Sequence, residues 1–172
     1  RICGVPFLMR NLFNLQRSGL NSLIIYSNQN NAELYKRICE EKNISFKLNW
    51  TENIAEVIKL TNDYSVLILN GGALYTKHEI QSCTNSSANR NENSIQFLKR
   101  ENMANTLDQI VHGNEFSLVP SIVNSDSGVF FLPGGKDSWL RRPQDFLIQH
   151  ENLLKDSGLK NDSFVDRTIT RF

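Results

Sequence analysis

Residues 66–75, VLILNGGALY, decide the fold of this chain. The short apolar run from Val66 to Leu69 predicts a buried strand, and Gly71 and Gly72 predict a turn at its carboxyl end. In an α/β sheet, ligands bind outside the carboxyl ends of the parallel strands. The turn that contains Asn70 is therefore the first place where we look for a functional site.

Outward from this strand, apolar spacing predicts helices and strands in alternation. The predicted helices are 6–19, 31–42, 52–60, 101–112 and 143–155, with a helical turn at 76–82; the predicted strands are 22–27, 44–50, 64–69, 94–98 and 128–132. The polar residues 84–94 predict a loop. Such an order is typical of an α/β fold with three layers, a mostly parallel sheet and helices on both faces.

Composition narrows the functional classes. A chain of 172 residues is long enough for one domain with a full core. Its 19 basic and 18 acidic residues nearly cancel, so we expect no nucleic-acid partner. The three cysteines and three histidines follow no metal-ligand spacing, which favours reduced thiols over a zinc site or a disulfide framework. No apolar run is long enough to cross a bilayer.

Two segments resemble a known family. Gly4, Pro6 and Arg10 form a G-x-P-x-x-x-R pattern that opens a helix and leads into a strand. This resembles the region after the phosphate-binding loop in nucleotidyltransferases of the sugar-nucleotide, GT-A-like fold. Residues 153–171, LLKDSGLKNDSFVDRTITR, resemble the connector that precedes the membrane domain in CDP-alcohol phosphatidyltransferase fusions. The residues that carry this second resemblance are Lys160, Asp162, Val165, Arg167 and Arg171.

The resemblance implies a GT-A-like domain at 1–155, whose first strand and glycine-rich loop would precede Arg1, and a charged connector at 156–172. It implies transferase activity in phospholipid biosynthesis, with CTP and a phosphorylated polyol as ligands. The implied partner is a fused or neighbouring membrane phosphatidyltransferase domain, which would hold this cytoplasmic domain at the inner face of a membrane. The implied nucleotide- and substrate-binding residues are Gly4, Pro6, Arg10, Asn70, Gly71, Gly72, Arg141, Lys160, Asp162 and Arg167.

The chain departs from the family where the metal would bind. Relatives hold Mg²⁺ through an aspartate at the end of the central strand, where this chain has Gly72, and through a second acid, where it has Arg141. Arginine can bind phosphate but cannot hold the metal. Three interpretations therefore stay open: an active cytidylyltransferase, a catalytically degenerate domain that binds a ligand or acts as a scaffold, and an unrelated α/β binding protein.

Several of these residues also have ordinary structural explanations. Gly71 and Gly72 allow either the close approach of a ligand or a tight turn. Residues 133–137, PGGKD, are typical of a turn as well as of a phosphate-binding loop. Arg141 is also explained as one of a solvated pair with Arg142, and residues 156–172 as a solvated segment. Trp50 is expected in the core or on a ligand-facing wall.

Overall fold

The computed structural model of the protein describes residues 7–29, 32–84, 95–114, 116–122, 128–134 and 144–145. Its helices are α1 (Phe7–Arg17), α2 (Ala32–Cys39), α3 (Ile54–Thr61), α4 (Lys77–Thr84) and α5 (Met103–Asn114), with one 3₁₀ turn at Arg100–Asn102. Its strands are β1 (Ser22–Ser27), β2 (Lys47–Thr51), β3 (Ser65–Asn70), β4 (Gln96–Leu98), β5 (Phe116–Ile122) and β6 (Val129–Leu132).

Within the described residues the six strands form one sheet in the order β2-β1-β5-β3-β6-β4. Strand β1 pairs in parallel with β2, and β3 pairs in parallel with β6. Strand β5 lies between β1 and β3 and is antiparallel to both, and β4 is antiparallel to β6. Four strands therefore point in one direction and two in the other. The α/β class is confirmed, but the sheet is mixed in its pairing rather than mostly parallel.

The difference comes from β5, which the sequence analysis did not predict. Its sequence, FSLVPSI, contains Pro120, and proline is normally excluded from central strands because it has no N–H to donate. The register of β5 with β3 is interrupted opposite Leu67 and Ile68, whereas its register with β1 is continuous.

The missing N–H of Pro120 is on the side of β3. Gly71 N–H donates to the Phe116 carbonyl at 3.0 Å, so these two residues form a hydrogen-bonded pair of the antiparallel ladder. Such pairs recur at every second residue, which makes Leu67 and Pro120 another pair of the same kind. The Leu67 carbonyl consequently loses the hydrogen bond that an N–H at position 120 would donate.

Helices cover both faces of the sheet. One face is packed by α1, α2 and α4, through residues such as Leu12, Ile38 and Ile80. The other is packed by α3 and α5, through residues such as Val57 and Leu107. Alternate strand residues belong to opposite cores, as the pleat requires: in β3, Leu67 and Leu69 face the first core, and Val66 and Ile68 the second. The three-layer arrangement follows from these two cores.

Local signals explain where the helices begin and end. Gly19, which follows α1, has a φ of 86°, and its N–H donates to the Gln16 carbonyl at 3.0 Å. The next N–H, of Leu20, reaches the Leu15 carbonyl, which completes a Schellman motif. The predicted stop at Gly19 is confirmed.

Other predicted elements match with shifts of a few residues, as at α3, which begins at Ile54 rather than at position 52. The predicted helix 143–155, the greater part of the predicted loop 84–94 and the predicted connector 156–172 lie outside the described residues. In the described part of the chain, Cys39 and Cys83 are not joined in a disulfide, and no helix there has the length and apolar character needed to span a membrane.

Candidate functional site

The candidate site lies at one edge of the sheet, where the carboxyl ends of four strands meet. Because β2, β1, β3 and β6 run in the same direction, their last residues are all at this edge. The antiparallel β5 begins there, so Phe116 lies beside the ends of β1 and β3. Ligands of α/β proteins bind at such an edge, where the connectivity of the sheet changes.

The turn after β3 holds three of the predicted site residues. Asn70 is buried, and its Oδ1 accepts a hydrogen bond from Gly72 N–H at 2.9 Å. The Asn70 carbonyl accepts from Ala73 N–H at 3.2 Å. The first bond closes an Asx turn and engages the side-chain oxygen of Asn70, and the second closes a β-turn through its backbone carbonyl.

Gly71 has a structural reason to be glycine. A Cβ at this position would lie 2.2 Å from the Phe116 carbonyl oxygen, a separation that real Cβ atoms do not show. Its backbone is not in the left-handed region, which within the described glycines is occupied by Gly19 and Gly134. The close approach of β5, rather than a positive φ, therefore requires Gly71. Gly72 is partly exposed at the edge.

A buried phenol joins the ends of β3 and β6. Tyr75 Oη donates to the Leu132 carbonyl at 2.9 Å and accepts from Asn70 N–H at 2.9 Å. Burial raises the pKa of Tyr75 well above its ordinary value, and the Asn70 hydrogen bond opposes that rise in part. The phenol thus stays neutral and can make both bonds at physiological pH.

Helix α1 is bonded to residues 73–75, the segment that follows the turn. The Asn11 side chain, which is fully buried, donates to the Ala73 carbonyl at 2.9 Å and accepts from Tyr75 N–H at 3.1 Å. Asn14 donates to the Tyr75 carbonyl at 2.8 Å. The sequence analysis missed Asn11 and Tyr75, because a lone polar residue inside an apolar helix face and an aromatic residue after a turn have no distinctive spacing.

Two glycine-containing segments converge at this point. Leu69 pairs with Leu132, so the turn 70–72 and residues 133–134 leave the sheet side by side. Gly134 has a φ of 86°, a backbone conformation that favours glycine. The two segments are far apart in the sequence, and only the parallel pairing of β3 with β6 brings them together. Gly135, Lys136 and Asp137 lie outside the described residues.

A cleft of about 590 Å³ opens at the same edge, over the ends of β1 and β2. It is lined by Tyr26, Trp50, Thr51, Glu52, Asn53 and Ile54. Asn53 caps α3 by accepting from Ala55 N–H at 2.9 Å, so the cleft lies at the beginning of that helix. Trp50, which we expected in the core or on a ligand-facing wall, is half-buried and lines the cleft.

The structure places only some of the predicted site residues. Arg10 lies in the first turn of α1, half-buried and adjacent to Asn11. Asn70, Gly71 and Gly72 form the turn after β3. The other predicted site residues lie outside the described part of the chain: Gly4, Pro6, Arg141, Lys160, Asp162 and Arg167. Their roles stay predictions.

The turn 70–72 offers no carboxylate to a metal ion. No group of three or more His, Cys, Asp or Glu side chains that could hold a metal ion occurs among residues that the structure describes. At the turn itself, Asn70 Oδ1 already accepts the Gly72 N–H, and neither glycine has a side chain. The residues of the turn therefore do not fit a Mg²⁺ ion, which prefers carboxylate oxygens.

Comparisons of the chain with known protein families, with curated proteins and with solved structures give no match.

Proposed function

We propose that this chain is the cytoplasmic nucleotidyltransferase-like domain of a CDP-alcohol phosphatidyltransferase-type protein of phospholipid biosynthesis, and that it binds nucleotide phosphate at the ends of β3 and β6. The observation that supports this proposal is the convergence of the turn 70–72 with residues 133–134. Gly72 and Gly134 are partly exposed and have no side chain, so they leave space for a ligand at the carboxyl edge, where α/β proteins bind phosphorylated ligands.

The proposed ligands are CTP and a phosphorylated polyol, and the proposed product of an active domain is a CDP-activated alcohol. Arg10, in the first turn of α1, precedes Asn11, whose side chain bonds to the segment after the turn, and is proposed to contribute positive charge for phosphate. Arg141 and Lys160 would supply further positive charge for phosphate. The proposed partner is a membrane phosphatidyltransferase domain that uses the CDP-alcohol.

A second candidate function is ligand binding without catalysis in the same protein. One observation favours it: the side-chain oxygen at the end of β3 belongs to an amide that already accepts a backbone N–H. Nucleotidyl transfer brings two negatively charged phosphates together and normally needs a divalent cation held by carboxylates. A domain without such ligands would bind CTP or the polyol phosphate and not convert them.

Isothermal calorimetry of the 172-residue chain with CTP, with and without Mg²⁺, tests both candidates. Binding that requires Mg²⁺ supports the catalytic function, and binding that is independent of Mg²⁺ supports the degenerate domain. Absence of CTP binding under both conditions would overturn the proposal and favour an unrelated α/β binding protein.

A variant sharpens this test. Gly72→Asp supplies a carboxylate where the resemblance implies the metal-binding aspartate. If the turn binds nucleotide phosphate, the carboxylate of Gly72→Asp should repel it and weaken CTP binding in the absence of metal. Added Mg²⁺ should restore that binding. Gly113→Asp is the matched control, because a side chain at Gly113 on α5 meets open space and lies outside the turn. An identical response of the two variants would argue against nucleotide phosphate at Gly72.

A further inference from the structure

The cleft over the ends of β1 and β2 is separate from the turn at the ends of β3 and β6, because β5 lies between the two strand pairs. Its volume of about 590 Å³ is in the range of small-molecule sites. The proposed phosphate site does not use it. The ligand that it suits is therefore decided by the polar groups that line it and that the rest of the protein leaves unpaired.

Tyr26 supplies the first of these groups. Its ring belongs to the core under α3 and α5, and the residue is only 6% exposed. Its hydroxyl has no hydrogen-bond partner among the described residues, yet it is not sealed from solvent, and Tyr26 lines the cleft. A phenylalanine would fill the same space in the core. The hydroxyl is therefore not needed for packing and is available to a ligand.

The Tyr26 hydroxyl keeps its proton at physiological pH. Burial raises the pKa of Tyr26, and the negative charge of Asp108 on α5 raises it further. A neutral phenol can donate one hydrogen bond and accept another. It therefore matches a ligand group that can do both.

Asn53 supplies a second unpaired group, and its orientation is fixed. The backbone N–H of Asn53 donates to the Thr51 hydroxyl at 3.0 Å, and that hydroxyl donates to the Glu56 carboxylate. Asn53 Oδ1 accepts from Ala55 N–H at 2.9 Å. Its Nδ2 has no partner in the described part of the chain. The amide donor is thus oriented before a ligand arrives, which lowers the entropic cost of binding.

Glu52 and Ile54 add an acceptor and an apolar surface to the lining. Glu52 is exposed, and among the described residues no hydrogen bond or salt bridge engages its carboxylate. Ile54 is partly buried against the core under α3 and α5. The cleft therefore combines free donors, free acceptors and apolar surface.

Ligand classes differ in how they meet this lining. An ammonium ion cannot accept a hydrogen bond, so it would leave the Asn53 amide N–H unused. An ionised phosphate accepts but does not donate, and it would face the Glu52 carboxylate. A sugar hydroxyl both donates and accepts, and the C–H groups of a sugar ring can cover Ile54. A sugar is the class that uses all of these groups together.

We propose that this cleft binds a neutral sugar. Tyr26 Oη and Asn53 Nδ2 bond to its hydroxyls, and the Glu52 carboxylate accepts from a further hydroxyl at the open side. The site follows from its own contacts and not from the proposed nucleotide function, so either can hold when the other fails.

Four sugars test the proposal: D-glucose, D-galactose, D-mannose and D-ribose. Each is titrated into the 172-residue chain, and the backbone amide signals of residues 51–54 are followed by NMR. Tetrahydropyran-2-methanol, a ring with a single hydroxyl, is the matched control probe. We expect at least one sugar to give a saturable shift and the control probe to give none. Absence of such a shift with all four sugars would overturn the proposal, as would tighter binding of choline or inorganic phosphate at these residues.

Tyr26→Phe locates the site, because it removes the hydroxyl and keeps the ring. We expect it to weaken binding of that sugar about 2- to 12-fold, the value of one hydrogen bond. Its urea unfolding should show no loss of stability, since the hydroxyl has no partner among the described residues. Tyr64→Phe, at a phenol that is 55% exposed and outside the cleft, is the matched control and should change neither quantity. Unchanged sugar affinity in Tyr26→Phe, or a loss of stability there, would contradict the proposal.

Asn53→Asp tests the second donor. Aspartate keeps the oxygen that caps α3 and removes the amide N–H, so the helix should be retained. We expect a similar loss of sugar affinity, about 2- to 12-fold. A variant that binds the sugar as the unmodified chain does would show that Asn53 Nδ2 does not contact it, and the assignment to this cleft would fail.

Discussion

At the scale of single residues, the candidate site depends on side chains that complete backbone hydrogen bonds. The side chains of Tyr75 and Asn11 bond to main-chain groups of segments distant in sequence, and that of Asn70 bonds to a main-chain N–H within the turn. A buried N–H or C=O that loses its partner costs about 1–3 kcal/mol. These residues therefore stabilise the turn beside which we propose that ligand binds, and they need not touch the ligand themselves.

The raised pKa of Tyr75 leads to a prediction about alkaline pH. The pKa of Tyr75 in the folded state lies above the ordinary tyrosine value of about 10. At a pH above about 10, unfolding therefore releases a proton from the Tyr75 phenol. The stability that Tyr75 contributes is fully present below pH 10 and is lost as the pH rises towards the folded-state pKa, by up to about 1.4 kcal/mol per pH unit.

Tyr75→Phe should therefore lower the free energy of unfolding by about 1–3 kcal/mol at pH 7, and its deficit should shrink as the pH rises above 10. Urea unfolding at pH 7, 9, 10 and 11 measures this. Tyr64→Phe, at a phenol that is 55% exposed, is the control and should show little effect at pH 7. A deficit for Tyr75→Phe that stays constant up to pH 11 would contradict the prediction.

Gly71→Ala tests the close contact of the turn with β5. The added Cβ would lie 2.2 Å from a backbone oxygen, so backbone must move. We expect a loss of about 1–3 kcal/mol in the free energy of unfolding, the usual cost of overpacking. Gly113→Ala is the control: its Cβ meets open space within α5, where alanine is the better helix former, so no loss is expected. Equal stability of the two variants would show that β5 does not approach Gly71 so closely.

At the scale of elements, β5 decides the character of the sheet. It separates two parallel pairs and makes the sheet mixed. The apolar residues around Pro120 satisfy the pattern of a buried strand, but a single proline in a central strand argues against that assignment on local grounds. The strand forms because burial of Leu118, Val119 and Ile122 in the two cores outweighs one missing ladder bond.

Pro120→Val should restore that bond. We expect the new amide at position 120 to be protected from hydrogen exchange as strongly as its neighbours in β5, because it faces the Leu67 carbonyl. The new hydrogen bond stabilises the folded chain by about 0.5–1.5 kcal/mol. The loss of proline raises the conformational entropy of the unfolded chain, which lowers the stability by about 0.4–1 kcal/mol. The net stability should thus change little, and exchange measured by NMR is the sensitive readout.

Ser121→Val is the matched control for this substitution. It adds the same branched side chain at the next position of β5 and introduces no new backbone donor. Its amide, which belongs to the other class of ladder pair with β3, should keep its exchange rate. Rapid exchange of the amide at position 120 in Pro120→Val would mean that position 120 of β5 does not lie opposite Leu67 of β3.

At the scale of the whole molecule, one sheet separates two hydrophobic cores. The core under α1, α2 and α4 and the core under α3 and α5 share the strands but not the helices. Side chains on opposite faces of a sheet have no common partners. Their contributions to stability should therefore be independent.

Ile38→Val on α2 and Ile110→Val on α5 test this independence. Each deletes one methylene from a different core, and each should lower the free energy of unfolding by about 0.5–1.5 kcal/mol. In the double variant the losses should add to within roughly 0.5 kcal/mol. Ile25→Val with Ile38→Val, both in the first core, is the comparison pair. Strong coupling between Ile38 and Ile110 would contradict the separation of the cores.

The sequence by itself determined the α/β class and most of the elements, since apolar periodicity and helix-ending signals such as Gly19 act within a few residues of the chain. It also marked the turn 70–72 as a place to look. Only the tertiary structure decided that β5 lies between β1 and β3, that the turn meets residues 133–134, and that Tyr26 lines one cleft with residues 50–54. Each of these depends on contacts between residues far apart in sequence, whose strength comes from burial and pairing in the complete sheet and leaves no local pattern.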